Sequence, residues 1–199
     1  IVDILRLANQ ICVKNNIGKK FETFCFDLNV ELDNTFNILE TSPFLHYIIL
    51  PPCIEGEYFL RPNTLLINWL KQRHQRGSII SAICAVIFIL SKTELLNNRF
   101  ATTHWEHAEA VTTSNHSIKI QTNKLLINDG DIITAGGIIS WLDLALEIVA
   151  QSVSFQIMRV LGKYLVIDTS SREECCYDNF RPNLEHGDLL VIKAQHYVH

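Results

Sequence analysis

No Cys-x-x-Cys pair occurs among the six cysteines, Cys12, Cys25, Cys53, Cys84, Cys175 and Cys176. This excludes the common structural zinc motifs, and three of the thiols fall in apolar segments where a reduced cysteine behaves as a small hydrophobe. A reducing cytoplasm is the compartment such a pattern predicts. Histidine spacing is as poor: His104 and His107 stand three apart at a helix start, and His46, His74 and His116 add no third or fourth ligand at useful spacing. Neither a metal nor a cofactor is expected. Long apolar runs are missing too; the longest, Ile79 to Leu90, is interrupted by Ser81 and falls short of the roughly eighteen residues a membrane span needs. An excess of basic residues is also lacking. With 17 Lys and Arg against 21 Asp and Glu, the charge of −4 supplies no nucleic-acid footprint, so any DNA contact lies outside this chain. No signal-peptide pattern is visible, and Ile1 stands in what reads as the middle of a helix, so an earlier segment is expected before it.

What remains is a chain of 199 residues, 48% hydrophobic and 19% charged, which is the composition of one well-buried α/β domain with a short appendage. Apolar positions Ile1, Ile4, Leu5, Ala8, Ile11 and Cys12 form one helical stripe, ended by Asn15-Asn16-Ile17-Gly18. Alternation of Phe24, Phe26 and Leu28 predicts a strand over 21–30, and 45–50 reads as a buried strand stopped by Pro51-Pro52. Pro62 suits the first turn of a helix over 63–75, and Gly77 its C-terminal cap. Further strands are predicted at 78–83, 99–103 and 131–134, with two more short ones at 118–120 and 125–127. Helices are predicted over 85–96, from His104 to about Ser114, over 138–150 and over 153–166. The helix 138–150 is apolar nearly all round, so it is either deeply buried or a subunit contact. Residues 168–186 read as a polar linker, and 187–199 resumes a helical pattern with nothing of its own to pack on.

The stretch that organises the rest is Gly77 to Trp105. The β-rich run 78–83 passes into a helical one with no Pro or Gly between them, which puts Cys84 at an abrupt strand-to-helix turn. A thiol there faces the partial positive charge of unpaired N–H groups, which favours the thiolate. Doubly wound folds bind ligands at such strand ends. His104 is the candidate partner, a base brought near by a neighbouring strand end; the plain alternative is a buried structural cysteine and a coincidental histidine. Cys84 is expected to be the most reactive thiol, ahead of Cys12 and Cys25, both expected to be buried. Glu55, Glu57 and Tyr58 are candidates for the rim of the same pocket, with an acidic surface loop as the alternative.

At Ser81-Ala82-Ile83-Cys84-Ala85 and Ala101-Thr102-Thr103-His104-Trp105 the sequence resembles the class I glutamine amidotransferase-like, or ThiJ/PfpI, superfamily. More narrowly, it resembles the N-terminal sensor domain of one branch of AraC-type regulators. The likeness extends to Val2-Asp3-Ile4-Leu5, to Ile48-Ile49-Leu50-Pro51, and from Thr134-Ala135-Gly136-Gly137 to Asp143-Leu144-Ala145-Leu146. It implies a flavodoxin-like three-layer α/β sandwich of the ThiJ/PfpI type, with a mostly parallel sheet from 21–30, 45–50, 78–83, 99–103 and 131–134. It also implies a sensor domain over 1–168, with its first strand before Ile1. Residues 169–199 would then be a linker and the start of a truncated helix-turn-helix domain.

The resemblance makes Cys84 the nucleophile and His104 its partner if the protein is an enzyme. Two departures turn the reading towards binding: Val86 replaces the usual glycine two residues after the elbow, and Pro51-Pro52-Cys53-Ile54-Glu55-Gly56 replaces a more glycine-rich loop. The expected function is therefore ligand sensing by a non-catalytic regulator domain, with Cys84, Ala85, His104, Glu55 and Gly136 at the ligand. Expected partners are a small molecule, a second copy of the chain, and DNA through a C-terminal domain outside these residues, with no membrane. The alternative is a cysteine-dependent hydrolase, amidase or glyoxalase-like enzyme; a purely structural dimerisation module is a third class.

Overall fold

The computed structural model describes residues 1–26, 43–53 and 56–169 and the single position Leu190. In chain order its first elements are α1 (Val2–Lys14), β1 (Tyr47–Leu50), α2 (Thr64–Gln75), β2 (Ile79–Ile83) and α3 (Ile87–Lys92). Then come β3 (Phe100–Ala101), α4 (Trp105–Ser114), β4 (Lys119–Ile120), β5 (Leu126–Asn128), β6 (Ile132–Ala135), α5 (Trp141–Ser152) and α6 (Phe155–Leu165). Short 3₁₀ turns precede α2, α3 and α5, at Tyr58–Leu60, Cys84–Val86 and Ile138–Ser140.

The run Ile79-Ile80-Ser81-Ala82-Ile83 has nearly no polar face, and such a strand is stable only where helices cover both sides of its sheet. It lies inside a four-stranded sheet of order β1-β2-β6-β5. β1, β2 and β6 are parallel, in a register that aligns Leu50 with Ala82 and Ile83 with Ala135. β5 closes one edge antiparallel to β6, so the sheet is mixed.

Pleating divides the strand side chains between two cores. Ile83, Ile133 and Ala135 join α1, α5 and α6 on one face, whereas Ile80, Ala82, Ile48, Leu50 and Ile132 meet Leu66, Trp69 and Leu70 of α2 and the buried side of α3 on the other. That is the expected three-layer sandwich. α5 takes the buried alternative: Leu144, Ala145, Leu146, Ile148 and Val149 are all in the core. At about 1.5–3 kcal/mol for each large apolar side chain, that burial stabilises the helix, while Ile138 and Ile139 just before it stay exposed.

Local signals set the boundaries. Asn63 caps α2 by accepting from the Leu65 N–H at 2.8 Å, so Pro62 lies just before the cap rather than in the first turn. Gly77, at φ +96°, closes the helix with its own N–H on the His74 carbonyl, and the Ser78 N–H reaches back to Arg73. That turn sends the chain directly into β2. α1 ends similarly through Asn16 in a left-handed conformation.

Three expectations need correction. Residues 21–26 form no regular strand, because Asn9 takes both backbone groups of Phe21, accepting its N–H at 2.7 Å and donating to its carbonyl at 2.8 Å. Residues 27–30 of that prediction lie outside the described ones. The stretch 99–103 does not enter the four-stranded sheet; β3 is two residues long and, among the described residues, pairs in parallel with β4 alone. The helix over 85–96 is a 3₁₀ turn followed by α3, which stops where the Thr93 hydroxyl donates to the Leu90 carbonyl and Glu94 turns left-handed.

Candidate functional site at the Cys84 elbow

β2 runs extended to Ile83 and then breaks. Cys84 adopts φ +59°, a left-handed conformation rare for any residue with a side chain, and the chain turns at once through Cys84–Val86 into α3. The sharp elbow expected from the sequence is therefore present. Its thiol is buried at 4% exposure, in the core that also takes Ala85.

The register that pairs Ile83 with Ala135 brings Gly136 beside Cys84 at adjacent strand ends. Gly136 is buried, and its N–H is taken by the Leu125 carbonyl at 2.8 Å. Gly137 follows beside the imidazole: a Cβ there would stand 4.0 Å from His104 Cδ2 and 3.9 Å from Ser140 Oγ.

His104 arrives from the other direction. The stretch after β3 crosses the strand ends, held by side chains rather than a ladder: the Thr102 N–H donates to Thr134 Oγ1 at 2.9 Å, and the Thr103 hydroxyl donates to the Cys84 carbonyl at 3.0 Å. His104 then caps α4, its Nδ1 accepting from the Glu106 N–H at 3.4 Å, with 26% of its side chain exposed. Glu106 Oε2 lies 3.6 Å from the same Nδ1. These two contacts ask for opposite protonation of Nδ1.

The elbow region thus unites Cys84, Ala85, His104 and Gly136. Glu55 lies outside the described residues, while Glu57 and Tyr58 sit exposed at the 3₁₀ turn whose Phe59 stacks on Phe88 of α3, 5.8 Å between centroids. Sequence reasoning missed the aromatic members. His107 contacts Phe88, Phe59 and His104 at 6.1, 6.4 and 5.9 Å between ring centroids, and Trp105 lies 5.0 Å from His104. Burial and the neighbouring His104 push the His107 pKa down. The i, i+3 spacing of His104 and His107 was the visible signal, and it places the two rings in contact. Among the described residues no three His, Cys, Asp or Glu side chains converge on a point.

Cys25 is exposed, contrary to expectation, because 21–26 packs as an irregular segment; Cys12 is buried as expected, and burial raises its pKa. Cys175 and Cys176 lie outside the described residues. No helix among the described residues is long and apolar enough to cross a membrane.

The profile of the DJ-1/PfpI family matches residues 13–151. Among curated proteins, the HTH-type transcriptional regulator CdhR of Pseudomonas aeruginosa is 29% identical over 126 residues, 63% of this chain and 34% of the regulator. Isonitrile hydratase of Pseudomonas putida is 25% identical over 120 residues, 57% of this chain and 48% of the enzyme. The matched part therefore spans about a third of one relative and about half of the other. Among solved structures, an AraC family transcriptional regulator from Pseudomonas putida superposes with a TM-score of 0.56 at 12% identity, over 82% of this chain and 92% of that one, a likeness of fold.

Proposed function

The chain belongs to the DJ-1/PfpI family, and from that premise we propose that it carries the ligand-sensing and dimerisation domain of an AraC-type DNA-binding regulator, acting without turnover. The sensor is assigned to residues 1–168, and 169–199 to a linker and the start of the DNA-binding domain. The observation that carries the reading is relatedness to a helix-turn-helix regulator over 126 residues. Chemistry at the elbow agrees with it. His104 is engaged at Nδ1 by its own helix cap and by Glu106, which leaves Nε2 for a ligand. Cys84, Ala85, His104 and Gly136, with Glu55 at the rim, are proposed to form the ligand site. A sensor site of this kind needs a ligand with different affinities for two conformations, and chemistry is not required of it.

The relationship to isonitrile hydratase supports a second reading, cysteine-dependent catalysis at Cys84 with His104. The two separate experimentally. The expected result is no isonitrile hydration, amidase, hydrolase or methylglyoxal-consuming activity above background, together with ligand-dependent operator binding by the full-length protein that Cys84→Ser alters. Turnover abolished by both Cys84→Ser and His104→Ala would replace the sensor reading with the enzymatic one. For assembly, sedimentation at micromolar concentration is expected to give twice the 22.8 kDa chain mass.

A further inference from the structure

The geometry points to Thr103 as the positioning residue of the elbow: its buried hydroxyl holds the backbone that presents the Cys84 thiol and ties that backbone to the placement of His104. This concerns how the two groups are held, and it stands whether the site senses or catalyses.

A left-handed residue with a side chain is strained, and persists only where its surroundings over-determine it. At Cys84 part of that restraint comes from 19 residues along the chain, where Thr103 Oγ1 donates to the Cys84 carbonyl at 3.0 Å. Thr103 is 0% exposed, so water does not compete for the bond, and deleting the donor takes a partner from a buried carbonyl.

Thr103 is itself fixed from both sides. Thr102 donates its N–H to Thr134 Oγ1 on β6 and its hydroxyl to the Lys124 carbonyl at 2.6 Å, and His104 caps α4. Three successive residues thus grip a strand end, the elbow and a helix start. A movement of His104 reaches the elbow through one peptide unit and one hydrogen bond. Conversely, loosening the elbow releases the backbone that keeps the Cys84 thiol buried in its core.

The test is the pH dependence of alkylation by iodoacetamide in the intact protein, read thiol by thiol by peptide mass spectrometry, with exposed Cys25 as internal reference. Thr103→Val keeps the volume and removes the donor; Thr103→Ser keeps the donor. In Thr103→Val the loosened elbow is expected to expose the buried Cys84 thiol and speed its labelling about tenfold near neutrality, with the Cys25 profile unmoved. Thr103→Ser should stay within about twofold of the wild type, since a serine hydroxyl donates equally well. Loss of stability alone would speed labelling of buried Cys12 as well as Cys84, so an unmoved Cys12 separates the local effect from unfolding. A Thr103→Val profile that superimposes on the wild type overturns the assignment, as does a Thr103→Ser profile displaced as far as that of Thr103→Val. If Thr103→Val does not fold, Thr103→Ala takes its place in the same comparison.

Discussion

Arg99 grips Asp131 with both guanidinium nitrogens, Nη1 on Oδ1 and Nη2 on Oδ2 at 3.1 Å, while His74 Nε2 lies 2.7 Å from the same Oδ2. The cluster joins the end of α2, the approach to β3 and the start of β6, at the end of the sheet opposite the elbow. Hydrogen bonding from Arg99, partly opposed by burial and reinforced by His74, holds the Asp131 carboxyl down to about 2 from an ordinary 3.8.

A carboxylate with a lowered folded-state pKa contributes stability that is complete above its unfolded value and is lost as pH falls through the folded one. The window is therefore from about pH 4 down to about pH 2. Because the Asp131 side chain is 44% exposed, the contribution is discounted to roughly 1 kcal/mol or less. Urea denaturation across that window should show a shallower acid loss in Asp131→Asn than in the wild type. Identical slopes would mean that the clasp contributes nothing to folding.

His107 is held toward its neutral form, first by burial and then by His104. A histidine with a lowered folded-state pKa makes stability fall as pH drops below its ordinary value of 6.5, because the unfolded chain takes up the proton more readily. In an NMR titration the His107 ring protons should titrate below that value, and His104→Ala should move them back toward it. A His107 curve unmoved by His104→Ala would assign the whole effect to burial.

Ser81 stands in the middle of β2 with its hydroxyl buried and without a hydrogen-bond partner among the described residues. Burying an unpaired hydroxyl costs roughly 1–3 kcal/mol, and alanine removes it while leaving only a small gap. Ser81→Ala is expected to raise the urea midpoint by the equivalent of about 1 kcal/mol at unchanged m-value. A lower midpoint would reveal a bonding role for the hydroxyl.

Gly162 faces Thr169, close enough that a Cβ at 162 would fall 2.1 Å from Thr169 Cγ2. The contact exists because α6 ends at Val166 in a left-handed conformation and the chain doubles back, the Ile167 N–H bonding the Gly162 carbonyl at 2.9 Å. Two effects oppose each other in Gly162→Ala. Helix propensity favours alanine by about 1 kcal/mol, while the returning segment must be displaced. Hydrogen exchange should therefore speed up at Ile167 and Thr169, and the second substitution Thr169→Gly should let the propensity gain appear as a higher midpoint. Unchanged exchange at both amides would show that the return does not depend on this contact.

Much of the architecture was legible because it depends on short-range chemistry. Asn63 and Gly77 bracket α2, the apolar run before Cys84 has to lie in a covered strand, and the absence of any breaker between 83 and 87 makes a turn at Cys84 unavoidable. Cys84 and His104 were visible as two separate motifs, and the structure ties the Cys84 carbonyl to Thr103, the residue before His104, by one hydrogen bond. Which strands share a sheet was decided elsewhere. Phe100–Ala101 has the same local character as a sheet strand, yet Thr102 and Thr103 spend their hydrogen bonds on β6 and the elbow, and among the described residues the strand pairs with β4 alone. Phe21 opens the stretch read as a strand, but Asn9, twelve residues earlier, occupies both of its backbone groups. The aromatic contacts of His107 with Phe59 and Phe88 likewise exist only because the turn at Tyr58–Leu60 folds over α3. Patterning dictates which face of an element is buried, whereas the partner of each backbone group depends on what the rest of the chain brings within about 3 Å of it.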